Sequence, residues 1–316
     1  MKKFDIKNLG KLFPIIGIIL FIYIIISLGT DNILDAFIKI PIQYYLLALV
    51  PIIPRLIVSI YSWQYICKKQ KMNFKFFYLM KIYLISLFYG NVTPLGIGWH
   101  IRIFYLRKKK KVSIEKCLTN SLINISTGLI ASLFLALVGS IVFFKYIPGV
   151  LPIILLVFLF SLTAFFVFMK KSGGEKFISI FIRPLIPKKY RDRVDKSIES
   201  LYEDIPRFRD MIFPFFLEMI VAVLLGTQVY IIALAFSITI PFHMFILISI
   251  LALIATAILP ISIGGLGVRE GAFMYMLYVI YGVEYNIAFV ISLSGYFVKM
   301  LIPSILGAAF SFRKNH

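Results

Sequence analysis

Arg269 and Glu270 stand side by side inside the string Leu259-Pro260-Ile261-Ser262-Ile263-Gly264-Gly265-Leu266-Gly267-Val268-Arg269-Glu270-Gly271, with apolar sequence on either side. Arginine presents a planar fork of donors that matches phosphate, and it keeps its charge inside a protein. Pro260, Gly264, Gly265 and Gly267 break a helix and let the backbone turn sharply. A helix that restarts after such a break offers free N–H groups and the positive end of its dipole. The combination is chemistry for holding an anion. Glu270 reads either as the orienting partner of a basic residue or as a carboxylate stabilising the helix start. A looser copy lies earlier, Thr93-Pro94-Leu95-Gly96-Ile97-Gly98-Trp99-His100-Ile101-Arg102, where Pro94 and Gly98 make the break and Arg102 supplies the charge.

Further charges fall within apolar runs. Arg55 sits midway along Gln43–Ile66 beside Pro51 and Pro54, and Lys299 midway along Asn286–Ser311. Both are too central to reach water easily, and an ionisable residue at that depth is a functional-site hypothesis. They are expected to line a cavity or to pair with Glu218 and Glu270. Glu218 lies ~10 Å into its helix at 1.5 Å per residue, so snorkelling to the interface also accounts for it. Lys81 fits either a hairpin lining or an interfacial position. His100, next to Arg102, reads as a packing or proton-sensing residue.

These residues need elements to position them, and composition says what kind. Of 316 residues, 60% are hydrophobic and 15% charged, a balance that marks an integral membrane protein. A net charge of +20 would suggest nucleic acid in a soluble chain. Here the basic residues cluster in short segments between apolar runs, so topology and anionic lipid account for them, and no nucleic-acid partner is expected. Cys67 and Cys117 form no metal or redox motif. There is no phosphate-binding P-loop, zinc-binding His-Glu-x-x-His or nucleophile elbow, and no cofactor is expected.

The apolar runs are Leu12–Leu28, Gln43–Ile66, Phe76–Gly98, Cys117–Phe144, Pro148–Met169, Ile212–Phe236, Met244–Pro260, Ala272–Tyr281 and Asn286–Ser311. The first is expected to be an uncleaved span. Lys2, Lys3, Lys7 and Lys11 place the N-terminus inside, and Arg313 and Lys314 do the same for the C-terminus. Phe76–Gly98 has basic segments on both flanks, which one crossing cannot satisfy, while two crossings need about 40 residues. A re-entrant hairpin entering from the cytoplasmic side resolves the conflict. Met244–Tyr281 must begin and end outside, as a second re-entrant hairpin or as two short spans. The fold class is therefore all-α and polytopic, with about six full spans plus two re-entrant hairpins. Span, hairpin, span over residues 43–144 recurs upside down over 212–311 around a cytoplasmic loop at 170–210. Such inverted repeats place a substrate site near the midplane. The chain reads as one membrane domain.

The string Leu259-Pro260 to Ala272 resembles the signature of the lysylphosphatidylglycerol synthase transmembrane region, also called the flippase-like family. Thr93-Pro94 to Gly98, then Arg102, Tyr105, Leu106 and Arg107, resembles its first motif, and Gly282-Val283, Ala288 and Ser292-Leu293 also fit. The resemblance covers nearly the whole chain. It implies a lipid-translocating domain, linked in stand-alone relatives to lipid-carried glycans. The chain ends at His316, so lysyl transfer by an attached synthase domain is not expected. Trp99 and His100 stand where the first motif often carries an acidic residue.

The expectation is a lipid flippase-like transporter in the plasma membrane, not an enzyme. Its substrate-binding residues are Arg269, Glu270, Gly264, Gly265, Gly267, Pro260, Arg102, Pro94, Gly98, Arg55 and Lys299. Its partners are lipids with an anionic or phosphate headgroup, with a lipid-modifying enzyme or glycosyltransferase as a further candidate. The alternatives are an intramembrane enzyme acting on lipid phosphate and a non-transporting membrane partner of a glycosyltransferase.

Overall fold

The computed structural model describes residues 22–110, 112–177, 201–202, 204–259 and 263–312. Among these, regular structure is entirely helical. Five helical stretches are long and apolar enough to cross a membrane: Ile42–Lys69, Ile114–Val142, Val150–Met169, Phe208–Leu234 and Tyr285–Phe312. Each exceeds or meets the length of about 20 residues that a bilayer core requires. Most of the expected first span, Pro260, both termini and most of the 170–210 loop lie outside the described residues.

Local sequence explains where these stretches bend. The first divides into α1 (Ile42–Leu49) and α2 (Ile52–Lys69) at Pro51. Pro54 is then in the first turn of α2, where an N–H has no intrahelical partner to lose. The expected mid-span Arg55 accordingly sits just past a break. Phe76–Val92 forms α3, and Arg102–Lys110 forms α4. Thus the basic run at Arg107 lies mostly on a helix rather than in a loop. Ser113 caps α5 (Ile114–Val142) by accepting the Lys116 N–H at 3.3 Å. Val150–Met169 is α6 and Ile212–Leu234 is α7. Phe242–Ile258 is α8 and Val268–Tyr281 is α9. The last stretch runs Tyr285–Tyr296 (α10), a π-helical turn at Phe297–Leu301, and Ile302–Phe312 (α11). Ahead of α1, Thr30–Ile38 forms a short helix with Asp31 in its first turn.

Two shorter apolar helices each fold back through a tip. In the first, Thr93 builds the turn: its hydroxyl donates to the Tyr89 carbonyl at 2.7 Å and accepts the Gly98 N–H at 2.8 Å. Gly98 lies so close that a Cβ there would stand 2.1 Å from the Tyr89 oxygen. Helix α4 then returns beside α3, with the Tyr78 hydroxyl donating to the Tyr105 carbonyl at 2.8 Å. Both ends of this hairpin lie together, because one carboxylate, Asp204, bridges Lys71 and Lys116 at 2.5 and 2.7 Å. Helices α8 and α9 pack on each other as the second hairpin, with Phe245 and Phe273 meeting edge to face. Helix α8 leans on the far half of α5, where Gly139 accommodates Leu247 and Leu251. The two tips, Pro94–Ile101 and Ile263–Gly265, touch one another.

Small residues let these helices approach closely. Gly307 of α11 sits against the Leu84 carbonyl of α3, where a Cβ would come within 2.0 Å. Asn91 donates to the Ser304 hydroxyl at 2.7 Å across the same contact. Helix α6 is the opposite case: only 11% of its apolar window is buried, against 61% for Tyr285–Phe312. It is therefore the peripheral helix and Tyr285–Phe312 the central one.

Candidate functional site

The second tip is a run of left-handed backbone that glycine alone adopts without strain: φ is 62° at Gly264, 75° at Gly265 and 82° at Gly267. Gly267 caps α9, and its N–H donates to Glu270 Oε2 at 2.7 Å. The other Glu270 oxygen accepts from Arg269 Nη2. Arg269 Nη1 donates to the Gly264 carbonyl at 3.2 Å, and the guanidinium lies over the Tyr296 ring, 4.2 Å from its centroid. The tip thus folds around its own ion pair, and Glu270 both caps the helix and orients the arginine.

Two further cations join this pair. Lys299 lies within electrostatic range of Arg269, Glu270 and Arg55. Arg55, Arg269 and Lys299 are each no more than 5% exposed, and Glu270 is fully buried. Both Glu270 oxygens are already engaged, so three buried basic side chains stand against one carboxylate. Arg55 Nη2 and Arg269 Nε have no hydrogen-bond partner among the described residues. Lys299 is carried on the π-helical turn, a distortion that recurs at functional sites.

At the first tip, Arg102 is buried against two indoles, 4.7 Å from the Trp63 ring and 5.8 Å from the Trp99 ring. Its Nε donates to the Trp99 carbonyl at 3.0 Å and its Nη1 to Asn124 Oδ1 at 2.7 Å. Trp63 is fixed in turn by donating to Asn120 at 2.8 Å, and Asn120 donates to Gln70 at 2.7 Å. His100 shares a hydrogen bond with Ser121 at 3.0 Å. A cavity of about 180 Å³ opens beside Arg102, lined also by Tyr83, Trp99, Asn124, Gly128 and Glu218.

The structure therefore divides the expected charges into two groups. Arg269 and Glu270 bond to each other, and Lys299 lies within electrostatic range of both and of Arg55. Glu218 lines the same cavity as Arg102 and hydrogen-bonds Ser62, and no ion pair joins it to Arg55 or Lys299 among the described residues. Pro94 opens the first tip and Gly98 closes it; Gly264, Gly265 and Gly267 shape the second. Sequence reasoning missed Trp63, Tyr296, Asn120 and Asn124. The last two had a signal, because Cys117, Asn120, Ser121, Asn124 and Thr127 recur at helical spacing along an apolar helix. Among the described residues no three of His, Cys, Asp or Glu gather to hold a metal.

A chain of this size with buried charge at two touching Gly/Pro tips has relatives of the same length. It is 25% identical over 313 residues to a UPF0104 membrane protein of Methanocaldococcus jannaschii, covering 93% of this chain and 91% of the relative. It is 22% identical to a UPF0104 membrane protein of Methanothermobacter thermautotrophicus, covering 96% and 95%. The family model for the lysylphosphatidylglycerol synthase TM region matches residues 14–307, which takes in both tips and every buried charge described above. The protein is a membrane protein and belongs to the lysylphosphatidylglycerol synthase TM region family.

Proposed function

We propose that the protein moves a phosphate-bearing lipid between leaflets as a flippase-like transporter, without itself carrying out a reaction. The observation that carries this reading is the buried group of Arg269, Glu270 and Lys299, with buried Arg55 within electrostatic range of Lys299. Unpaired buried charge is costly, and two guanidinium nitrogens in the cluster lack any partner among the described residues. A phosphate supplies the missing charge and acceptors together. The headgroup enters this cluster while its acyl or prenyl tails stay in the bilayer.

The hairpins supply the moving parts in this reading. Lys71 and Lys116, held by one Asp204, bring both ends of residues 76–110 to one side. This supports a re-entrant hairpin from the cytoplasmic face. The second hairpin enters from the opposite face, as an inverted repeat of the first, and the two tips meet between them. The charge distribution supports the plasma membrane with both termini cytoplasmic.

Reconstitution in liposomes tests the reading, with headgroup accessibility to an impermeant reagent as the measurement. Wild type should move a phosphate-bearing lipid, and both Arg269→Ala and Lys299→Met should abolish the movement. The second variant leaves the Arg269–Glu270 pair in place. Equal rates for all three across anionic, zwitterionic and polyprenyl-phosphate lipids would overturn it.

A further inference from the structure

Glu218 is the one carboxylate set more than a turn inside a described membrane-crossing stretch, and lipid movement as proposed above leaves it without a task. It lies ~10 Å along α7 at 1.5 Å per residue. It is partly exposed and lines the cavity of about 180 Å³ beside Arg102. Its carboxylate hydrogen-bonds Ser62 of α2. Gly128 of α5 leaves it room, since a Cβ there would stand 3.4 Å from Glu218 Oε2. A cavity of this size holds several waters when polar groups line it.

The charged and titratable surroundings are sparse. Helix α4 presents Arg102 and α3 presents Tyr83. Helices α2 and α5 present neutral groups, Ser62, Asn124 and Gly128, and α6 carries no titratable side chain. His100 of the first tip is turned to Ser121, and Lys299 faces Arg269, Glu270 and Arg55. Arg102 is therefore the one cation in electrostatic range of Glu218 among the described residues. It is pinned by the Trp99 carbonyl and by Asn124, and no ion pair joins it to Glu218. The two interact through space, and the strength of that attraction depends on whether Glu218 is ionised.

Polar groups continue away from Glu218 along α2. Ser62, Ser59 and Arg55 recur at helical spacing. Ser59 Oγ and Arg55 Nη2 are buried without a partner among the described residues, and such groups call for water. A metal ion suits the cavity poorly. Calcium takes six to eight oxygen ligands, whereas here the Asn124 oxygen is already given to Arg102 and a fixed guanidinium stands alongside.

We propose that Glu218 is a proton-binding site whose charge ties the first hairpin to α7. Ionised, it attracts Arg102 and holds the hairpin that carries it. A proton passing from cavity water to a Glu218 oxygen cancels that attraction and loosens the hairpin, with Arg102 still bonded to Trp99 and Asn124.

Two measurements on the purified protein test this without requiring transport. In infrared difference spectra between neutral and acid buffer, wild type should show a carboxylic-acid carbonyl band that is missing from Glu218→Gln. Gly128→Ala, a small addition that helices tolerate, should shift the same band in frequency by excluding water from the carboxylate. Hydrogen exchange over residues 94–110 is then compared between variants at matched pH, so that the intrinsic pH dependence cancels. Where wild type is ionised, Glu218→Gln should exchange faster by on the order of tenfold, the scale of a charge pair at a protein-like dielectric. The two should converge once wild type is protonated, and Glu218→Asp should keep the pH dependence. A spectrum with no band that Glu218→Gln removes or Gly128→Ala shifts would overturn the assignment, as would equal exchange of wild type and Glu218→Gln at every pH. A protein that passes both measurements yet moves no lipid in liposomes overturns the transport reading alone.

Discussion

Arg269 and Glu270, neighbours in the chain, are bonded to each other at the first turn of α9, although adjacent residues on a helix normally point about 100° apart. The bond forms because Glu270 turns back toward the helix start, where it also accepts the Gly267 N–H. The pair is buried, so neither charge has water to fall back on. Glu270→Gln and Arg269→Gln should each destabilise the protein by about 3–5 kcal/mol, the scale for stranding one member of a buried pair. The double variant should cost less than the sum. Thermal unfolding in detergent measures all three, and strict additivity would mean that the two side chains act independently.

The first hairpin makes a topological prediction. Lys68, ahead of α3, and Lys109, near the end of α4, are both exposed. Single cysteines at these positions should both react from the cytoplasmic side, and cysteines at Leu34 and Glu284 from the outside. Lys68 and Lys109 labelling from opposite sides would eliminate the re-entrant reading.

Glycine at the tips is a packing requirement. Gly98→Ala would place a methyl group against the Tyr89 carbonyl, and Gly264→Ala would add one at positive φ against the Tyr296 hydroxyl. Each should lower stability by about 1–3 kcal/mol. Gly149→Ala, which meets nothing within 4 Å, is the matched control and should leave the melting temperature unchanged.

The Asp204 bridge makes a pH prediction. Its bonds to Lys116 and then Lys71 hold the carboxyl below the usual carboxylate range. A depressed folded-state pKa stabilises above the unfolded value, about 3.9, and the contribution is lost as pH falls through the folded value. Asp204→Asn should therefore melt lower than wild type between pH 5 and 8, by about 1 kcal/mol or less for this partly exposed pair. The two curves should converge at acid pH below the folded-state value. A gap that persists there would assign the difference to something other than charge.

Much of the architecture can be read along the chain. Composition makes this a membrane protein, Gly and Pro mark both tips, and the rarity of charge in apolar runs singles out Arg55, Arg102, Arg269, Lys299 and Glu218. Each of these follows from local chemistry: apolar runs must be helical in lipid, glycine turns where other residues strain, and a charge in a span is conspicuous. Depth is also legible, since a helix advances 1.5 Å per residue. Partnership is not. Which way a side chain points depends on helix rotation, and which charge it meets depends on the neighbouring helix. A break at Pro51 and a π-helical turn at Phe297–Leu301 each alter that rotation. Tertiary packing alone therefore sent Lys299 to Arg269 and Glu270, left Glu218 lining one cavity with Arg102, and set Trp63 and Tyr296 as the aromatic floors under the two arginines.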